Sequence, residues 1–135
     1  MKLNHIAGDH QADGNVIATT AGDTTVAIVA RAPFRATVTG AYFIPTAAAT
    51  GHTTNYATLT VTNKGASGTG TTEIASLSLT AGVDLVAFDE KAITLTSTAA
   101  SLSLAEGDIV SVAIAKPGAG LAIGQGKAGI TFKAR

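Results

Sequence analysis

The clearest strand pattern in this chain is Phe34-Arg35-Ala36-Thr37-Val38-Thr39-Gly40-Ala41-Tyr42-Phe43-Ile44. Side chains two positions apart in a β-strand point to the same face of the sheet. The alternation predicts a buried face made of Phe34, Ala36, Val38, Gly40, Tyr42 and Ile44. The opposite face would then hold Arg35, Thr37 and Thr39, which suits contact with water. The stretch therefore predicts a half-buried strand that ends at Pro45.

Further strand patterns lie on both sides of this stretch. The run Val26-Ala27-Ile28-Val29-Ala30 has no polar interruption, which predicts a strand covered on both faces. Shorter alternating segments occur at 56–62, 74–79, 93–98, 101–104, 109–115 and 129–133. Residues 83–90 fit either a helical turn or an irregular crossover. About eight or nine short strands separated by turn residues predict an all-β, single-domain sandwich or barrel, and we expect a jelly-roll-like one.

The chain length of 135 residues suits one domain. Residues 1–14 show no clear period and include Gly8, Asp9, Asp13 and Gly14, so we predict an extended N-terminal arm there. Residues 15–135 would then form the β-sandwich domain.

The composition excludes several classes of function. Charged residues make up 13% of the chain, and the formal net charge is zero. Soluble domains carry roughly 25% charged residues, so this surface is weakly solvated and suited to coverage by partner subunits. The neutral balance argues against nucleic acid and membrane partners. There is no cysteine, and the first ten residues lack the apolar run of a secretory signal. We expect synthesis in the host cytoplasm and no membrane span.

The sequence offers no convincing catalytic or metal site. It has no nucleophile elbow, and the glycine-rich loop at 65–70 lacks the lysine of a phosphate-binding loop. His5 and His10 lie on either side of Asp9 in the sequence. This arrangement fits a solvated arm better than it fits a metal-binding cluster. The carboxylates Asp84, Asp89 and Glu90 do not match a calcium loop. We therefore expect no enzyme activity, no cofactor and no bound metal.

Four segments carry a resemblance to a known family. They are residues 41–45, 54–65, 87–92 and 104–110, that is AYFIP, TNYATLTVTNKG, AFDEKA and LAEGDIV. They resemble the capsid decoration (cement) proteins of tailed bacteriophages, and more loosely other small β-rich virion proteins. The resemblance implies a compact β domain, often a homotrimer, that binds the outer capsid surface and stabilises it by bridging major capsid subunits. The protein would then be located in the virion.

Two sets of residues follow as site hypotheses. The resemblance implies a gripping arm, and we expect Leu3, His5, Ile6 and His10 to bind the capsid. We also expect a subunit contact in which Asp89 and Glu90 lie beside Arg31 or Arg35 of a neighbouring copy. Two alternatives remain open: another virion component such as a tail, fibre or adaptor protein, and a glycan-binding β-sandwich module.

Overall fold

The computed structural model describes residues 8–20, 22–115 and 121–135. Within these ranges the chain forms ten β-strands, numbered here in chain order. They are β1 (Asp9–Val16), β2 (Thr25–Arg31), β3 (Ala36–Pro45), β4 (Thr58–Gly65), β5 (Thr72–Ser78), β6 (Lys91–Ala92), β7 (Thr94–Leu95), β8 (Ser103–Leu104), β9 (Ile109–Ala115) and β10 (Gly126–Ala134). One turn of 3-10 helix, Ala99–Leu102, precedes β8. None of the described residues forms a helix with the length and apolar character that a membrane crossing needs.

The strands form two antiparallel sheets that pack face to face. Sheet 1 has the order β1-β10-β3-β6, and β8 also pairs with β3. Sheet 2 has the order β2-β9-β4-β5-β7. Except for the β4–β5 hairpin, each successive strand lies in the sheet opposite to its predecessor. This winding is that of a jelly roll, a double-sheet β-sandwich. The prediction of an all-β, jelly-roll-like sandwich is confirmed.

One hydrophobic core fills the space between the sheets. Its largest fully buried side chains include Phe43 and Ile130 from sheet 1, and Leu59, Ile74 and Ile114 from sheet 2. Most of the core is aliphatic, because the inward positions of the alternating strands are occupied by valine, leucine, isoleucine and alanine. Burial of such surface contributes about 25 cal/mol per Å². The core therefore gives the loops a well-packed scaffold.

Strand β3 changes face at a β-bulge. Its register with β10 shifts at Thr39, which has no partner in the ladder. Val38, before the bulge, points into the core as predicted, whereas after it Phe43 is the core residue. Tyr42 and Ile44 therefore lie on the outer side, so the predicted single face was wrong from the bulge onward. One inserted residue reverses the alternation of every residue that follows it.

The predicted arm at residues 1–14 is partly a strand. Asp9–Val16 form β1, which pairs with β10 along its whole length. Exposure alternates along β1, with Asp9 and Asp13 outward and His10 and Ala12 partly buried. The pattern escaped detection because histidine, alanine and glycine hold the inward positions, and none of them marks a core face. Strand β1 thus extends across the predicted boundary at residue 14, and residues 1–7 lie outside the described ranges.

Strand β2 is covered on one face only. Val26 and Ile28 are 61% and 70% exposed, whereas Val29 and Ala30 are buried. The prediction of coverage on both faces was wrong, because the outer side chains of β2 meet no second layer among the described residues. A continuous apolar run predicts burial on both faces, although a strand with an exposed apolar face has the same sequence pattern.

The connections divide the sandwich into two ends. The long-loop end carries the described residues of the connections 17–24, 46–57, 79–90 and 116–125. The short-loop end carries 32–35, 66–71, 96–102 and 105–108. Val16, Gly126 and Pro45 pair in register at the long-loop end of sheet 1, which brings three of these connections to the same edge.

Candidate functional site

The predicted capsid-binding residues fall into two groups. Leu3, His5 and Ile6 lie outside the described residues. His10 lies in β1, where its ring is 5.1 Å from the ring of Phe34 and 5.6 Å from that of Phe132, measured between centroids. This ring packs at the short-loop end of the sandwich, within a strand of sheet 1, and its contact with a capsid stays a prediction.

The four residues of the predicted subunit contact lie at opposite ends. Arg31 ends β2 and Arg35 ends the connection 32–35 at the short-loop end, and both are exposed. Asp89 and Glu90 are exposed just before β6, at the long-loop end. The ten-residue strand β3 between these ends spans about 30 Å. The two pairs therefore do not meet within one chain, and their contact between copies stays a prediction.

The basic residues near the C-terminus are used within the fold. Lys127 and Lys133 lie 3.6 and 3.7 Å from the carboxylates of Asp13 and Asp9. The guanidinium of Arg135 donates to backbone carbonyls of β3 and β8, at 3.1 and 3.3 Å. The carboxylates neutralise the two lysine charges, and the carbonyl groups hold the guanidinium of Arg135. These three residues therefore do not form a basic surface.

Backbone hydrogen bonds tie the long loops to one another. Thr19 N–H donates to Ile123 O at 2.8 Å, and Thr46 N–H donates to Gln125 O at 2.9 Å. Ala49 and Leu85 exchange two further bonds, at 3.1 and 2.8 Å. Because these bonds join four connections without using side chains, the end forms one frame.

Side chains reinforce the same frame at two points. Asp84 Oδ1 accepts a hydrogen bond of 2.8 Å from Gly51 N–H. His52 Nδ1 accepts from the backbone N–H groups of Thr54 and Asn55, at 3.1 and 3.0 Å. Asp84 and His52 each hold a turn of a loop through these bonds. Among the residues that the structure describes, no group of three histidine or carboxylate side chains is placed to hold a metal ion.

Phe88 is the most exposed large apolar side chain of the frame, at 77%. It lies in the β-turn 86–89, which is closed by a 3.1 Å bond from Asp89 N–H to Val86 O. Its own N–H donates to Pro45 O at 2.7 Å. Its φ angle is +59°, in the left-handed region that turns normally assign to glycine or asparagine. The fold therefore holds an aromatic ring in water on a strained backbone.

An open groove of about 500 Å³ lies beside Phe88. Its apolar wall includes Ile17, which is 71% exposed, together with Ile44 and Pro45. Asn15, Thr46, Gln125 and Lys127 supply polar groups at the same groove. An apolar floor with a few polar groups is the usual makeup of a binding site. We call this groove, with the exposed side chains Ile17, Val86 and Phe88, the long-loop patch.

The sequence contained only part of this site. The pattern at 83–90 predicts an irregular segment rich in carboxylates, and it does not indicate that Phe88 is exposed. The signal that could have revealed the site is an aromatic residue within a turn, because few side chains in a turn point into a core. Phe88 is such a residue, two positions after Val86. Ile17 was missed because the strand ends one residue before it.

Tyr42 lies on the outer face of sheet 1, away from the groove. Its hydroxyl accepts a hydrogen bond of 2.6 Å from Gln11 Nε2, and its ring covers Gly129 of β10. Burial, followed by the negative charge of Asp13, raises the pKa of the Tyr42 phenol. The phenol therefore stays neutral and acts as a fixed element of this face.

The fold and this patch define a jelly-roll β-sandwich with an apolar surface at one end. No family model and no curated protein matches the chain. A structural comparison finds a chain described as "Structure of infectious bursal disease virus Gx strain", with 13% sequence identity and a TM-score of 0.40. The alignment covers 95% of the present chain and 30% of the viral chain. The present chain thus spans less than a third of that protein's length.

Proposed function

We propose that this protein is a structural component of a tailed-phage virion that binds the outer capsid surface and bridges major capsid subunits. It acts by binding alone, without catalysis, cofactor, nucleic acid or membrane. The observation that carries the proposal is the long-loop patch, in which exposed apolar side chains project from a hydrogen-bonded frame. A frame that is already ordered loses little conformational freedom on binding.

The energetics of a shell suit a patch of this size. An exposed Phe and an exposed Ile each contribute about 1.5–3 kcal/mol when fully buried. One patch therefore gives modest affinity, while many copies spread over subunit seams stabilise a whole shell. The sparse surface charge fits a protein whose outer surface is largely covered by neighbours.

The N-terminal residues Leu3, His5 and Ile6 remain part of the proposal as a capsid contact. The structure changes how this must be tested, because deleting residues 1–14 would remove most of β1 from sheet 1. Deletion of residues 1–7 is the appropriate variant. We expect it to retain the β-sheet circular dichroism spectrum and to bind capsids more weakly, and unchanged binding would remove the arm from the proposal.

Immunogold labelling of particles from the phage or prophage that encodes this chain tests the location. Labels over the head would support a decoration protein. Labels on the tail would favour a tail, fibre or adaptor protein. The absence of any label would contradict a virion role.

Co-sedimentation with undecorated shells tests the patch itself. Phe88→Lys and Ile17→Lys place a charge in the proposed contact, whereas Thr39→Lys places it at an exposed position on β3 outside the patch. We expect the first two variants to lose most binding and the control to keep it. Equal binding by all three would refute the role of the patch.

A second candidate function rests on the same ring. An exposed Phe88 beside the amides of Asn15 and Gln125 combines a stacking surface with hydrogen-bonding groups, which also suits a sugar. Jelly rolls occur in lectin domains as well as in capsids. Binding on a glycan array that Phe88→Lys abolishes, together with unlabelled particles, would favour this alternative.

A further inference from the structure

The two outer faces of the sandwich differ in chemistry. The face of sheet 1 carries Asp9, Asp13, Lys127 and Lys133, and these four residues form two ion pairs across β1 and β10. Charged side chains that pair along a surface remain compatible with water. Sheet 1 therefore presents an ordinary solvated face, and it is an internal reference for the other sheet.

The face of sheet 2 has almost no charge. Strand register places the following residues on it: Val26, Ile28, Thr58, Thr60, Thr62, Ser76, Ser78, Thr94, Ser111, Ala113 and Ala115. We call this set the neutral face. Charged residues lie at its margin: Glu73 opposite Thr62, and the exposed Arg31 opposite Ile109. The row Val26-Ala113-Thr60-Ser76-Thr94 crosses all five strands without a charged side chain.

We propose that the neutral face binds the neutral face of a second copy of this chain in a two-fold symmetric dimer. A two-fold interface brings the same patch together on both subunits, so any charge near the axis would meet its like. The neutral face avoids that repulsion. Its threonine and serine hydroxyls both donate and accept hydrogen bonds, which makes them complementary to themselves. Thr58 and Ser78 already pair in this way across strands, at 3.0 Å.

Small side chains allow the two sheets to approach closely. Sheets that pack face to face lie about 10 Å apart, and the residues between them must interdigitate. Alanine, serine and threonine at the centre fit this distance. Val26 and Ile28, along β2, are each more than half exposed in the isolated chain. Their burial supplies the apolar part of the contact.

The size of the face sets the expected affinity. Its eleven residues, each occupying about 4.8 Å by 7 Å, give about 370 Å² per copy, or about 740 Å² in total. Specific interfaces usually bury about 1,200–2,000 Å², so the dimer should be weak and reversible. Pairing through the β2 edge of sheet 2 is a poorer route to a dimer, because β1 already lies close to that edge. A Cβ added to Gly14 of β1 would be only 2.5 Å from Ile28 O.

Sedimentation equilibrium of the full-length chain between about 1 µM and 1 mM tests the proposal. We expect a monomer–dimer equilibrium. Thr60→Lys lies at the centre of the neutral face and should weaken association at least about tenfold. Thr131→Lys, a partly exposed threonine on the outer face of sheet 1, is the matched control and should leave the dimer unchanged.

A mixture of Thr60→Lys and Thr60→Glu gives a positive test that does not depend on loss alone. Each variant should be monomeric by itself, and together they should associate, because Lys and Glu then meet across the axis. A monomer at the highest concentration, a trimer, or an equal effect of both lysine variants would overturn the proposal. This experiment uses the purified chain without particles, so its outcome is independent of the proposed virion function.

Discussion

Replacing Phe88 by glycine should stabilise the isolated protein. A non-glycine residue in the left-handed region costs about 1–2 kcal/mol, and Phe88 adopts a φ of +59° there. Glycine relieves this cost but adds about 0.5–1 kcal/mol of backbone entropy to the unfolded state. The ring is 77% exposed, so its removal forfeits little packing. The net expectation is a gain of about 0.5–1 kcal/mol in the free energy of unfolding.

Thermal and urea unfolding measure this change. The entropy of unfolding is about 2.1 cal/mol/K per residue, so for this chain the gain raises Tm by about 2–4 °C. Phe88→Ala is the matched control, since alanine keeps the left-handed strain while it removes the ring. We expect the control to stay within about 0.5 kcal/mol of the parent protein. A loss of more than about 1 kcal/mol in the glycine variant would refute the reasoning, because the ring would then be packing against the fold.

Three further predictions concern the frame and the faces. Gly51→Ala should lower the free energy of unfolding by about 1–3 kcal/mol in urea titrations, because a Cβ there would overlap Thr80 O; parent-like stability would contradict this close approach. Asp108→Ala should cost about 1 kcal/mol by removing the acceptor for Asn63 Nδ2 and for a turn N–H, both at 2.9 Å, whereas a chain unaffected in its urea midpoint would show these bonds to be dispensable. The raised pKa of Tyr42 means that the folded state holds the phenol proton more tightly than the unfolded state does. The contribution of the phenol to the free energy of unfolding is therefore complete below about pH 10 and declines as pH rises further. The stability difference between the parent and Tyr42→Phe should therefore change between pH 8 and about pH 11 in urea titrations, with the parent losing more, and parallel profiles would argue against the shift.

The strand content of the fold was predictable because its inward residues are aliphatic. Leu59 and Val61 in β4, and Val112 and Ile114 in β9, alternate with threonine, serine or alanine, so period and burial agree. Strand β1 was not predictable in this way, because its inward positions hold small or polar residues, which produce no hydrophobic pattern. Its place in sheet 1 follows from pairing with β10, a contact more than a hundred residues away in the chain.

The bulge and the candidate site were beyond the reach of pattern analysis. Thr39 continues the local alternation, and only the partner strand reveals that it is an extra residue. Exposure of Phe88 is likewise set by the bond between its N–H and Pro45 O, which joins the connection 79–90 to the end of β3. Such facts depend on tertiary geometry, whereas the alternating period depends on neighbouring residues alone.

The backbone-to-backbone bonds at the long-loop end have an evolutionary consequence. Because main-chain atoms make the bonds of Thr19 with Ile123 and of Ala49 with Leu85, the shape of the frame depends little on which side chains its loops carry. Substitutions at the exposed positions 17, 86 and 88 can then alter what the surface recognises while the loops keep their course. This end of the molecule is suited to rapid divergence of specificity on an unchanging support.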